Sequence, residues 1–155
     1  SSIRGALEEN QTIHPAILYG YFGMAVNVTD GRYTYFRNPV EAETTVHAYT
    51  AMPTEFHSFM PRDALAAAET GRFLGHTYNI PLYKIPQKGH APHRHGIAEG
   101  EPYVAIHDLY DLDVDAAQEQ PVEEPALKQR LDDVIRAELA RVGAPEGHLA
   151  RLGLA

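Results

Sequence analysis

The chain has 155 residues, with 13 basic and 21 acidic side chains, a net charge of −8, 44% hydrophobic residues and no cysteine. That length gives one ordinary globular domain, able to bury about two thirds of the surface its unfolded form exposes. An acidic balance without a Lys or Arg run excludes nucleic acid from the expected partners, and the lack of cysteine excludes disulfides, thiolate metal sites and a cysteine nucleophile.

No apolar run approaches the roughly 18 residues of a membrane span. The first residues, SSIRGALEEN, lack the basic-then-apolar pattern of a signal peptide, and a start at Ser1 is what a processed or excised piece would show, so the compartment stays unknown. In chain order, residues 16–22 (AILYGYF) are apolar and aromatic enough for a strand, with Gly20 and Gly23 as a bend. Residues 25–37 (AVNVTDGRYTYFR) alternate on both sides of Asp30-Gly31, where a two-residue hairpin turn needs positive φ, and predict a β-hairpin. A strand is expected over 45–51, ended by Pro53. A helix is expected over 61–70, with Pro61 at its first position and Gly71 after it. Strands follow at 82–85 and 103–112.

Residues 125–142 carry the clearest signal. Leu127, Leu131, Val134, Ile135, Leu139 and Val142 form one apolar stripe at the helical period, opened by Pro125 and closed by Gly143 and Pro145. An obvious hairpin, several strands and few helices predict an α+β fold, a small antiparallel sheet packed against the C-terminal helix, in a single domain over 1–155.

Chemistry has few candidate positions. His90, His93, His95 and Glu99 give H-x-x-H-x-H-x-x-x-E, and two alternate histidines on a strand can grip one ion with neutral imidazoles. H-x-H followed by Glu is also the spacing of a cupin first motif, but Gln87 and Ile106 stand where that motif needs glycine, and the terminal helix leaves no room for its second half. A solvated histidine-rich loop is the expected reading, with no metal. Asp111, Asp113 and Asp115 have the spacing of a calcium loop, but Ala116 replaces the turn glycine and Val122 the bidentate glutamate. Ser1, Ser2 and Ser58 stand in no nucleophile motif. Asn10 and Asn27 match the short glycosylation pattern, which arises often by chance.

The stretch LYGYFGMAVNVTDGRYTYFRN, from Leu18 to Asn38, followed by YTAMPT from Tyr49, resembles the C-terminal region of bacterial sulfatases of the alkaline phosphatase superfamily. The similarity returns in PLYKIP at 81–86 and in IHDLYDL at 106–112, which is similar to the family's L-Y-D-L-x-x-D-P-x-E block, and extends through the terminal helix and tail. Ala116-Ala117 replaces the proline of that block. The resemblance implies a parent enzyme that hydrolyses sulfate esters with a formylglycine and a divalent cation, usually calcium, all held in an N-terminal catalytic domain. This chain carries none of that machinery: in Ser58-Phe-Met-Pro-Arg62 the proline falls one position late for C/S-x-P-x-R, and Asp132-Asp133 lies in the terminal helix. The implied role is therefore structural, covering the catalytic domain and shaping substrate access, with no catalytic residue and no cofactor in this chain. Tyr21, Phe22 and Asn27 are the expected contacts at the substrate rim. The alternative is a free-standing module binding a metal or ligand through His90 to Glu99. A separated subdomain should expose a large apolar face, and an autonomous module should not.

Overall fold

A computed structural model of the chain describes residues 13–41, 43–54, 58–90, 103–145 and 147–155, together with Arg4, Leu7 and Glu8. The hairpin read from the sequence forms as β2 (Val26–Thr29) and β3 (Tyr33–Arg37), with Val28 opposite Tyr35. Its turn falls one residue later than expected. The Asp30 N–H donates to the Tyr33 carbonyl at 3.2 Å, so Gly31 and Arg32 are the central pair, and the Asp30 carboxylate accepts from the Tyr33 N–H at 2.8 Å. Gly31 takes φ +98°, the positive φ required at the first position of a turn that matches strand twist.

Strand β1 (Ile17–Gly20) pairs antiparallel with β2, and β7 (Asp108–Asp111) pairs antiparallel with β3. The order of this four-stranded sheet is β1-β2-β3-β7. Leu18, Val28, Tyr35 and Leu109 lie in register across all four strands and line its inner face. Helix α2 (Pro125–Arg141) covers that face, with Leu131 and Ile135 fully buried against the row and Leu152 and Leu154 of the tail completing the core. The α+β architecture is thus observed, with Pro125 in the first helical turn as expected. Val142 lies past the helix end and is 43% exposed.

A second antiparallel sheet stands beside the first. Strand β4 (Glu43–Thr50) pairs along its whole length with β6 (Leu82–His90), and β5 (Glu69–Gly71) adds to the other edge of β6. The strand expected over 82–85 therefore continues through Pro86, which is tolerated because β5 ends opposite Leu82 to Lys84 and leaves β6 an edge there. The helix expected over 61–70 shrinks to α1 (Arg62–Ala66), with Pro61 as its N-cap and no buried residue to extend it. Glu69 and Thr70 instead join β5, where Glu69 meets Lys84 at 3.3 Å. Residues 103–107 likewise approach β7 without sheet pairing.

Two long-range devices hold the layers. Arg37 donates to Asp132 of α2 at 3.2 Å and to the Leu152 carbonyl at 2.9 Å, tying sheet, helix and tail with one side chain. Burial pushes the Asp132 carboxyl up from its ordinary value against the pull of Arg37. The two sheets touch at Gly89, where an added Cβ would stand 2.9 Å from the Gly23 carbonyl oxygen and 2.8 Å from Val46. Helix α3 (Gly147–Arg151) follows α2 and leads into Leu152 and Leu154.

Candidate functional site

Among the described residues no helix covers the outer face of the four-stranded sheet. Residues one step out of register with the core row point there: Ile17 and Tyr19 on β1, Asn27 on β2, Thr34 and Phe36 on β3, Asp108 and Tyr110 on β7. Phe36 sits at the middle of an aromatic chain, edge to face with Tyr19 at 6.3 Å and with Tyr110 at 5.9 Å. The Tyr19 hydroxyl is hydrogen-bonded to Thr34. Beside these rings opens a cleft of about 380 Å³, within the range of small-molecule sites, bounded by Tyr21, Asn27, Phe36, Asn38, Asp108 and Tyr110.

Two of the three expected rim residues line this cleft. Tyr21 stands over it at 83% exposure, and Asn27 forms part of its wall at 8%. Phe22, in the same β1–β2 loop, is 64% exposed and is not part of the wall. The loop is fixed by a Met24 N–H bond to the Tyr21 carbonyl at 3.1 Å and by Gly23 at φ +74°. Gln118, at the opposite lip, also takes a positive φ of 58°, a conformation costly for a side chain with Cβ.

Asn38 was not visible in the sequence as a site residue. Its Nδ2 donates to the Ile106 carbonyl at 2.5 Å, and its backbone N–H donates to Nδ1 of His107 at 3.2 Å. That bond requires an unprotonated ring nitrogen. Burial, then the charges of Arg37 and Lys128, lower the His107 pKa to about 4. Oδ1 of Asn38 and Oδ1 of Asn27 are both buried without a hydrogen-bond partner. Phe36 and Tyr110 could have been found from the same period of two that located the inner row; Asn38 depends on contacts to residues some 70 positions away.

The histidine set is not brought into view. His90 ends β6, and His93, His95 and Glu99 lie outside the described residues. Among the described residues no cluster of three metal-ligating side chains occurs. The aspartate series is occupied within the chain: Asp111 accepts from Arg32 at 2.7 Å and from the Asp113 N–H at 3.1 Å, and Asp115 accepts from the Gln120 N–H at 2.8 Å. No helix among the described residues is long and apolar enough to cross a membrane. Comparison with family models, with curated proteins and with solved structures finds no match to this chain in any of the three.

Proposed function

We propose that this chain is the C-terminal subdomain of a sulfatase-like hydrolase of sulfate esters, with a structural role and a part in shaping substrate access. The observation that carries the reading is the outer face of the four-stranded sheet, which no helix covers among the described residues. One face is sealed by α2, while the other presents Ile17, Tyr19, Tyr21 and Phe22 to solvent around the aromatic cleft. An apolar face of this kind marks a surface that another layer covers. The covering layer in this reading is the N-terminal catalytic domain of the same parent, and Tyr21 and Asn27 stand at the rim of its substrate site. A small antiparallel sheet backed by a terminal helix is the arrangement that the resemblance implies for such a subdomain.

Calcium and formylglycine belong, on this reading, to the parent's catalytic domain. Hydrolysis needs an activated nucleophile and charge stabilisation at the leaving oxygen, so the pure 155-residue chain is expected to leave 4-nitrophenyl sulfate intact. The decisive experiment reads the coding frame upstream of Ser1 for C/S-x-P-x-R. A frame without that motif, or turnover by the pure chain that survives further purification, would overturn the proposal.

A further inference from the structure

Arg151, the last residue of α3, is 8% exposed. A guanidinium stays charged at any pH a folded protein meets, so burying one without a counter-charge is costly, and buried arginines are normally met by carboxylates or bound anions. Here Nη1 donates to the Met24 carbonyl at 2.8 Å, while Nε is buried with no partner. Among the described residues no carboxylate forms an ion pair with it, and the influence that favours its charge comes from the Tyr103 phenol. Burial accordingly pushes its pKa down.

Arg151 also lines a cavity of about 100 Å³ between β4 and α3. Thr45, His47 and Tyr49 supply the β4 wall, and His148 the wall from α3. No acidic side chain lines it among the described residues. His148 is held below the usual imidazole range by burial and by the charges of Arg151 and His47. His47 is lowered by burial and by Lys84, with Glu69 acting in the opposite sense. Three basic groups therefore crowd a space far smaller than the roughly 300 Å³ at which pockets for extended ligands begin. Such a space fits a compact polyatomic ion. Arginine is well suited to hold one, because its N–H donors form a fixed fork that matches an oxyanion's edge.

We infer that the cavity between β4 and α3 binds a small oxyanion, with the Arg151 guanidinium as its principal donor and His47 and His148 closing it. The ion supplies the counter-charge that Arg151 lacks among the described residues. Its charge also stabilises the two imidazolium forms, so binding is accompanied by proton uptake. Because Nη1 holds Met24, whose loop forms the aromatic cleft, the ion secures the cleft wall from behind. The inference needs no second domain and stands apart from the sulfatase reading.

The test uses the full chain exchanged into chloride. Inorganic phosphate and sulfate are added at matched ionic strength while thermal unfolding and the His148 ring resonance are followed. Sulfate and phosphate strengthen burial in most proteins, so the reference is Arg151→Met under the same additions. The wild type should show a saturable rise in midpoint larger than that of Arg151→Met, an upward shift of the His148 titration, and an affinity several-fold above that of His148→Gln. Acetate, run alongside, separates a free tetrahedral ion from a carboxylate brought by a neighbouring chain: a gain specific to acetate points to the second source. An equal rise in Arg151→Met, no rise over chloride alone, or an unmoved His148 titration overturns the inference. If Arg151→Met does not fold, an unchanged affinity in His148→Gln overturns it.

Discussion

Acidification from about pH 7 to about pH 5 should cost the folded chain about 2 kcal/mol through His107. Its pKa falls from 6.5 to about 4 on folding, and its Nδ1 must remain unprotonated to accept from the Asn38 N–H. The unfolded chain therefore takes up the proton first. The contribution is whole above the unfolded value of 6.5 and is lost as pH falls toward about 4. At about 1.4 kcal/mol per pKa unit the full loss is about 3 kcal/mol, of which about 2 has gone by pH 5. Asp30 and Asp111 are held below 3.8 and titrate beneath this window. His47 and His148 are lowered in the same sense, and raised Asp132 acts oppositely, so the comparison must be with a protein that keeps all three. His107→Asn retains an acceptor oxygen near the Nδ1 position and does not titrate. Urea unfolding at both pH values should show His107→Asn losing about 2 kcal/mol less than the wild type. Equal losses in the two proteins would refute the assignment of this pH dependence to His107.

Ile135→Ala, at a fully buried position, should cost about 2–5 kcal/mol in urea unfolding. Arg136→Ala would be nearly silent if its side chain only met solvent, as its place beside the stripe suggests. Its Nε instead donates to the Leu154 carbonyl at 3.0 Å, so a loss of about 0.5–1.5 kcal/mol is expected, measured in the same titration. Gly89→Ala should destabilise by about 1–3 kcal/mol, because the new methyl meets the Gly23 backbone as well as Val46. Amide exchange should then rise in both the β1–β2 loop and β4; protection unchanged from wild type would mean the sheets are not joined there.

The elements that were legible in the sequence are those whose signal is local. Alternation on both sides of a glycine turn gave the β2–β3 hairpin, and the stripe through Leu131 and Ile135 gave α2 and the face it buries. The second sheet was hidden because its pairing competes with local preference. Ala64 to Ala68 favour helix, but a five-residue helix with no fully buried side chain gains little by extending, and Glu69 to Gly71 gain an edge of β6 instead. Pro86 made β6 look finished, since the freedom of its far edge depends on where β5 stops. Of the cleft, Tyr21 and Asn27 were accessible through the resemblance, while Phe36, Asn38 and Tyr110 join them only once four strands are in register.

The same reasoning explains why Arg151 could not be singled out beforehand. In HLARLGL it reads as a basic residue in the last turn of a helix, where favourable interaction with the helix C-terminus is explanation enough. Its burial arises from a partner 127 positions earlier, the Met24 carbonyl. That contact holds the side chain inside the fold instead of in water, and what is an ordinary surface charge in sequence becomes a buried charge with no carboxylate partner among the described residues. The buried oxygens of Asn27 and Asn38 arise in the same way. Both places set a cavity beside a polar group that folding has removed from water without supplying a partner, which is costly. The two places differ in kind: behind the cleft wall folding leaves two amide oxygens unmet, whereas the space beside Arg151 is lined by basic side chains and suits an anion.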